Sequence, residues 1–72
     1  MERYKDSNGD SGVAAYETHP ESIRVQFKNN AKVYVYSSAR AGREHVEHMK
    51  RLAAMGSGLN SYIKRNVDKL YD

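Results

Sequence analysis

The chain has 72 residues, no cysteine and a formal net charge of +3 at pH 7. A chain of this length forms one small domain, and without cysteine it has neither disulfides nor a cysteine-based zinc site. No apolar run approaches the roughly 20 residues that a membrane span needs, and there is no signal-peptide core. We therefore expect a cytoplasmic protein with no membrane partner.

The N-terminal segment is polar and rich in turn-forming residues. Residues 1–12 have no apolar side chain after the fifth position, which predicts a disordered N-terminal arm followed by a single domain over residues 13–72. Asp6, Asn8 and Asp10 alternate as in a calcium-binding loop. A strand pattern follows them, however, and no helix precedes them, so a bare loop is favoured over a calcium site.

Three strands are predicted in the first half of the chain. Residues 13–18 form the first, which ends before Pro20 because the fixed φ angle of proline favours a turn. Residues 23–36 contain two more strands, in which β-branched and aromatic residues are concentrated. Asn29 and Asn30 join them, since asparagine tolerates the positive φ angles of a tight hairpin turn.

The length of that turn decides which side chains share a face of the sheet. A two-residue turn pairs Val25 with Tyr34 and Ile23 with Tyr36, and places all four with Phe27 on the face where helices pack. A three-residue turn would direct both tyrosines outward, as stacking platforms for unpaired bases. Core tyrosines are the favoured interpretation, and the exposed platform is the alternative.

Two helices are predicted after the sheet. Ser37 and Ser38 offer N-cap hydroxyls for the first helix, Gly56 ends it, and Ser57 is expected to cap the second. Asn66 interrupts the apolar stripe of the second helix, so either the regular helix ends there, which is favoured, or the amide finds a buried partner. This order predicts an α+β fold, with a three-stranded antiparallel sheet (β-β-β-α-α) and two helices packed on one face.

Several motifs resemble the KTSC domain. They are Val25-x-Phe27, Tyr34-x-Tyr36, Gly42-Arg43-x-x-Val46-x-x-Met49-Lys50-x-Leu52-Ala53 and Gly58-Leu59-Asn60-x-Tyr62-Ile63. This small family is named for a module at the C-terminus of some lysyl-tRNA synthetases, and it also occurs as free-standing bacterial proteins. The resemblance spans residues 13–71. Through the link to a tRNA-charging enzyme it implies RNA binding, and it implies no catalytic residue.

Basic residues are concentrated in the middle of the chain. Residues 22–43 carry five basic side chains and no acidic one, which favours a polyanionic partner. In the predicted register, Arg24 and Lys28 lie on the sheet face away from the helices, beside the edges that carry Lys32 and Arg40. The candidate nucleic-acid site, for tRNA or single-stranded RNA, consists of Arg24, Lys28, Lys32, Arg40 and Arg43. The alternative is a solvated polar face.

Two apolar side chains are predicted on the same face. Val33 and Val35 alternate with the tyrosines and would therefore point away from the helices. An exposed apolar pair favours contact with another protein or with a second copy of the chain. The face is thus also a candidate surface for protein–protein interaction or homodimerisation.

Metal, phosphate and catalytic sites find less support. His45 and His48 could face one metal ion, but zinc needs three or four ligands and no further ligand is suitably spaced. Gly56-Ser57-Gly58 could cradle a phosphate, although without a P-loop lysine it is better interpreted as a turn. There is no thiol and no recognisable Ser–His–acid motif. We expect a non-enzymatic binding module without metal or cofactor, for RNA or alternatively for protein.

Overall fold

In the computed structural model, which describes residues 1–5, 12–28 and 32–71, strands come first and helices follow. The strands of the described residues are β1 (Glu2–Arg3), β2 (Val13–His19), β3 (Ser22–Phe27) and β4 (Val33–Ser37). The helices are α1 (Ser38–Ala41), α2 (Arg43–Met55) and α3 (Leu59–Tyr62), which continues into a π-helical segment, Ile63–Val67. None of these helices is long and apolar enough to cross a membrane.

The described strands form one antiparallel sheet in the order β1-β2-β3-β4. The predicted α+β class is confirmed, but the prediction of three strands was wrong, because β1 adds a fourth. Glu2 and Arg3 pair with Tyr16 and Ala15, and the next residue, Tyr4, is buried. A two-residue strand is too short to show alternation, so no pattern in the sequence indicated it.

Half of the segment predicted to be an N-terminal arm lies outside the described residues. Residues 6–11 lie outside the described residues, and with them the calcium loop that was weighed for Asp6, Asn8 and Asp10. Residues 1–5 and 12 of this segment are described, and residues 1–5 contain β1, the first strand in the order of the sheet.

The predicted hairpin register is confirmed. Val25 pairs with Tyr34 and Ile23 pairs with Tyr36, although Asn29 and Asn30 themselves lie outside the described residues. Because residues directly opposite each other share a face, the helix side of the sheet receives both tyrosines. The other side, which we call the open face, receives Arg24, Gln26, Val33 and Val35 from this strand pair.

The core lies between the helices and one face of the sheet. Val46, Met49 and Ala53 of α2 are buried against it, and their spacing places them on one face of the helix. The side chain of Ser37 caps α1, since its Oγ accepts a hydrogen bond from the Arg40 N–H at 3.3 Å. Gly56 ends α2 in the left-handed conformation, with φ of 75°.

The last helical part departs from the prediction in two ways. Gly58, with φ of 82° and no side chain to offer, precedes α3, so the prediction of a Ser57 cap was wrong. The α-helical pattern ends at Tyr62, earlier than expected, and gives way to the π-helical segment. Its wider turn keeps Ile63 and Val67 in the core while directing Asn66 to solvent, where the Asn66 amide donates to the Tyr62 carbonyl at 3.1 Å.

Candidate functional site

The structure places the five basic residues of the predicted site at three different locations. Arg24 lies in the middle of the open face, opposite Val35. Lys28 and Lys32 come together at the hairpin end of β3 and β4. Arg40 and Arg43 lie in α1 and at the start of α2, beyond the other end of β4. These five side chains therefore do not form one continuous patch.

The open face carries charges of both signs. Glu17 pairs with Arg24 across β2 and β3, and its Oε1 lies 3.8 Å from Arg24 Nη1 and 2.6 Å from His19 Nε2. The hydrogen bond from His19, and to a smaller extent the charge of Arg24, lowers the pKa of the Glu17 carboxyl. The strand pairing thus brings an acidic side chain from the first part of the chain beside the central basic residue.

The predicted valine pair does lie on the open face. Val33 is 38% exposed and Val35 is half-buried. They are opposite Gln26 and Arg24, respectively. Polar side chains of β3 therefore border the pair.

A more enclosed site lies at the hairpin end of the sheet, on the helix side. A cleft of about 580 Å³ opens there between the strands and the C-terminal segment, a size typical of small-molecule sites. We call it the aromatic cleft. Its described lining consists of Gly12, Phe27, Lys28, Tyr34, Tyr36, Asn60, Ile63, Lys64, Asp68, Lys69 and Tyr71.

Aromatic rings form one wall of the aromatic cleft. The Tyr34 ring centroid lies 5.4 Å from that of Phe27 and 4.8 Å from that of Tyr71, and both pairs meet edge to face. Tyr36 is 1% exposed, whereas Tyr34 is only half-buried. The two interpretations weighed for these tyrosines thus separate: Tyr36 belongs to the core, and Tyr34 presents part of its ring to the cleft.

Lysines surround this aromatic wall. Lys28 directly follows β3, and Lys64 and Lys69 belong to the C-terminal segment; all three line the cleft. The Lys32 ammonium lies 5.2 Å from the ring centroid of Tyr34 and 5.7 Å from that of Tyr71, within cation–π distance. Positive charge from both the hairpin and the C-terminal segment therefore lies near the rings.

Asp68 is the acidic residue of the described lining. Its carboxylate lies close enough to Tyr36 to act on the phenol: burial raises the pKa of Tyr36 to about 12, and the Asp68 charge contributes next. The Tyr36 phenol consequently stays protonated to a higher pH than an ordinary tyrosine. The aromatic cleft combines flat rings, cationic side chains and one carboxylate acceptor.

Comparison with protein-family models, with curated proteins and with solved structures gives no match for this chain.

Sequence reasoning missed the C-terminal half of the aromatic cleft. Lys64, Asp68, Lys69 and Tyr71 were not among the predicted site residues, because spacing along the chain does not reveal which strand residues they approach. One signal was present: aromatic and lysine residues recur together at residues 27–34 and again near the end of the chain.

The two histidines considered as metal ligands contact a tyrosine instead. His45 Nδ1 and the Tyr62 hydroxyl are 2.6 Å apart, and the His48 ring stacks on Tyr62 with centroids 4.5 Å apart. Burial, followed by the charge of Glu44, raises the pKa of the Tyr62 phenol. Within the described residues, no group of three or more His, Asp or Glu side chains is arranged to hold a metal ion.

Proposed function

We propose that this protein is a small, non-enzymatic module of the cytoplasm that binds single-stranded RNA, including unpaired segments of tRNA, in the aromatic cleft. The observation that carries the proposal is the placement of Lys28, Lys64 and Lys69 around the partly exposed ring of Tyr34. The resemblance to the KTSC domain, with its link to a tRNA-charging enzyme, supports RNA as the nucleic acid.

The chemistry of the aromatic cleft matches that of an unpaired nucleotide. An aromatic face that stacks a base contributes about 1–3 kcal/mol per base, and lysines gain affinity by neutralising phosphates and releasing counterions. A duplex hides its base faces in its own stack, so only a single-stranded segment can place a base against Tyr34. Arg24, Arg40 and Arg43 lie outside the aromatic cleft and in this proposal attract the RNA backbone over longer distances.

Charge reversal at two separate places tests the proposal. Fluorescence anisotropy at low salt would compare the wild type with Lys64→Glu/Lys69→Glu, using labelled single-stranded RNA and tRNA. Each lysine–phosphate interaction that is removed should reduce the slope of the logarithm of the binding constant against the logarithm of the salt concentration by about 0.7 for a single strand. Arg40→Glu/Arg43→Glu is the matched control, since it makes the same change of charge far from the cleft.

Two results would count against this assignment. If the wild type bound neither RNA at low salt, the proposed function would be wrong. If the two double variants weakened binding equally, the RNA site would not be the aromatic cleft.

A second candidate function is homodimerisation through the open face. It is favoured by the exposed Val33 beside Val35 and by the adjacent opposite charges of Glu17 and Arg24. Around a two-fold axis each copy could set its Arg24 against Glu17 of the other. Sedimentation at two protein concentrations, with Val33→Lys for comparison, tests this candidate. A wild type that stays monomeric at both concentrations would remove it.

A further inference from the structure

The helical wall of the aromatic cleft carries a regular row of polar groups. Asn60, Lys64 and Asp68 are spaced four residues apart along α3, the π-helical segment and the residue that follows it, and all three line the cleft. Side chains four apart lie one above the other on a helix. The row therefore presents an amide, an ammonium group and a carboxylate in that order.

This row and the aromatic wall line the same cleft. The residues just before its members, Leu59, Ile63 and Val67, are buried in the core, which fixes the side of the helix that the row occupies. A base stacked on an aromatic ring leaves its edges free for hydrogen bonds, and the row lines the same cleft as the Tyr34 ring. The row is thus placed to distinguish bases by their hydrogen-bonding groups.

Lys64 and Asp68 are the members best placed for this role. Both side chains are exposed, and neither takes part in an ion pair with another described residue. The ammonium group only donates hydrogen bonds, and the carboxylate only accepts them, with two oxygens. Side by side, they form a donor next to a double acceptor.

One RNA base complements that arrangement. Guanine carries on its Watson–Crick edge the O6 acceptor followed by two adjacent donors, N1–H and the N2 amino group. Adenine and cytosine each offer one amino donor beside a ring nitrogen that would repel a carboxylate. Uracil has one N–H between two carbonyls, so it gives a carboxylate one bond and one repulsive contact.

We infer that the aromatic cleft selects guanine, with N1–H and N2–H donated to the Asp68 carboxylate and O6 accepting from the Lys64 ammonium group. This inference rests on the proposed function, because it concerns the base held at the proposed RNA site. Paired hydrogen bonds of this kind discriminate strongly between bases. The preference should therefore be measurable even where the backbone contributes most of the affinity.

The test uses labelled RNA hexanucleotides of uridine that differ only at one central position, occupied by guanine, inosine, adenine, cytosine or uracil. Their backbone charge is identical, so differences in anisotropy-derived Kd report the base. The guanine oligomer should bind roughly tenfold more tightly than the all-uridine one. Inosine keeps O6 and N1–H but lacks the 2-amino group, so its Kd should be intermediate.

Two variants assign the preference to residues. Asp68→Asn should reduce the guanine-to-uracil ratio of affinities to near one, because guanine loses its paired acceptor while the loss of a negative charge raises affinity for the other oligomers. Lys64→Met should lower the same ratio while weakening binding to all of them. Glu21→Gln, which neutralises an exposed carboxylate at the β2–β3 turn, is the matched control and should leave the ratio unchanged.

The outcomes separate this inference from the proposed function. Equal wild-type affinity for all five oligomers would overturn guanine selection and leave RNA binding standing. A guanine preference that survives Asp68→Asn would overturn the role of Asp68. No binding to any oligomer would overturn both.

Discussion

At the scale of single residues, Tyr36 shows how a prediction from register leads to a chemical property. The pairing of Ile23 with Tyr36 was predicted from the length of an Asn–Asn turn, and it places this ring in the core. The spacing of residues in the sequence could not predict which groups lie near the Tyr36 hydroxyl. Asp68, Tyr34 and Tyr71 all act on its pKa. Burial and these neighbours together make its ionisation costly.

Alkaline pH should therefore destabilise the protein through Tyr36. Its pKa is raised from 10.0 in its ordinary state to about 12 in the fold, so the stabilisation is fully present below pH 10 and is lost as the pH rises toward 12. The loss amounts to roughly 2–3 kcal/mol in the free energy of unfolding. Urea denaturation between about pH 8 and pH 12 would measure it.

Tyr36→Phe supplies the reference for that series, because phenylalanine fills the same space without an ionisable group. The variant should lose less stability than the wild type between pH 10 and pH 12. The loss of stability that both proteins share comes from the other tyrosines. If the free energy of unfolding fell with pH by the same amount in both proteins, the assignment to Tyr36 would be contradicted.

At the scale of elements, the sequence predicted regular parts well and short or irregular parts poorly. The hairpin and α2 follow from alternation, helical periodicity and the glycine that ends the helix, and all of these are local signals. β1 has two residues and no period to detect. The π-helical segment places Asn66 outside the apolar stripe to which an α-helical projection assigned it. The aromatic cleft depends on the contact between Tyr34 and Tyr71, which are far apart in the chain.

The contact between the N-terminal residues and α3 gives a prediction about Tyr4. Its ring is 4% exposed and meets Tyr16 edge to face, and its hydroxyl accepts a hydrogen bond from the Leu59 N–H at 3.3 Å. Tyr4→Phe should lower the free energy of unfolding by about 1 kcal/mol, the contribution of one hydrogen bond. Tyr4→Ala should lower it by about 3–5 kcal/mol, because a buried aromatic ring is removed as well.

Chemical denaturation of the two variants beside the wild type would measure both effects. Arg3→Ala is a suitable control, since it removes an exposed side chain from β1 itself. If Tyr4→Ala were no more destabilising than Arg3→Ala, the N-terminal strand would contribute nothing through this ring.

At the scale of the whole molecule, the aromatic cleft joins two parts of the chain that meet only through packing. The hairpin supplies Phe27 and Tyr34, and the C-terminal segment supplies Tyr71 and the row of polar groups. A ligand that contacts both parts binds the folded state and not the unfolded one, so it stabilises the fold by mass action. Ligand binding at this site should therefore raise the free energy of unfolding, and this rise can be measured independently of a binding assay.

We accordingly expect single-stranded RNA at about 100 times its Kd to raise the free energy of unfolding by about 2.7 kcal/mol. Amide hydrogen exchange would locate the effect: protection should increase in the π-helical segment and at the start of β4, and less in α1. Lys64→Glu/Lys69→Glu should abolish the increase. No increase in these two segments, or a larger increase in α1, would contradict a ligand held between the hairpin and the C-terminal segment.

The π-helical segment also gives the C-terminal part of the chain a tolerance for length. Each of its hydrogen bonds spans one residue more than in an α-helix, so the segment uses one residue more for about the same rotation about the helix axis. A deletion of one residue between residues 62 and 68 could therefore be absorbed by a return to ordinary α-helical winding, and Asp68 and Tyr71 would keep their direction toward the aromatic cleft. Among homologous chains, a one-residue gap in this stretch would thus be compatible with the same ligand.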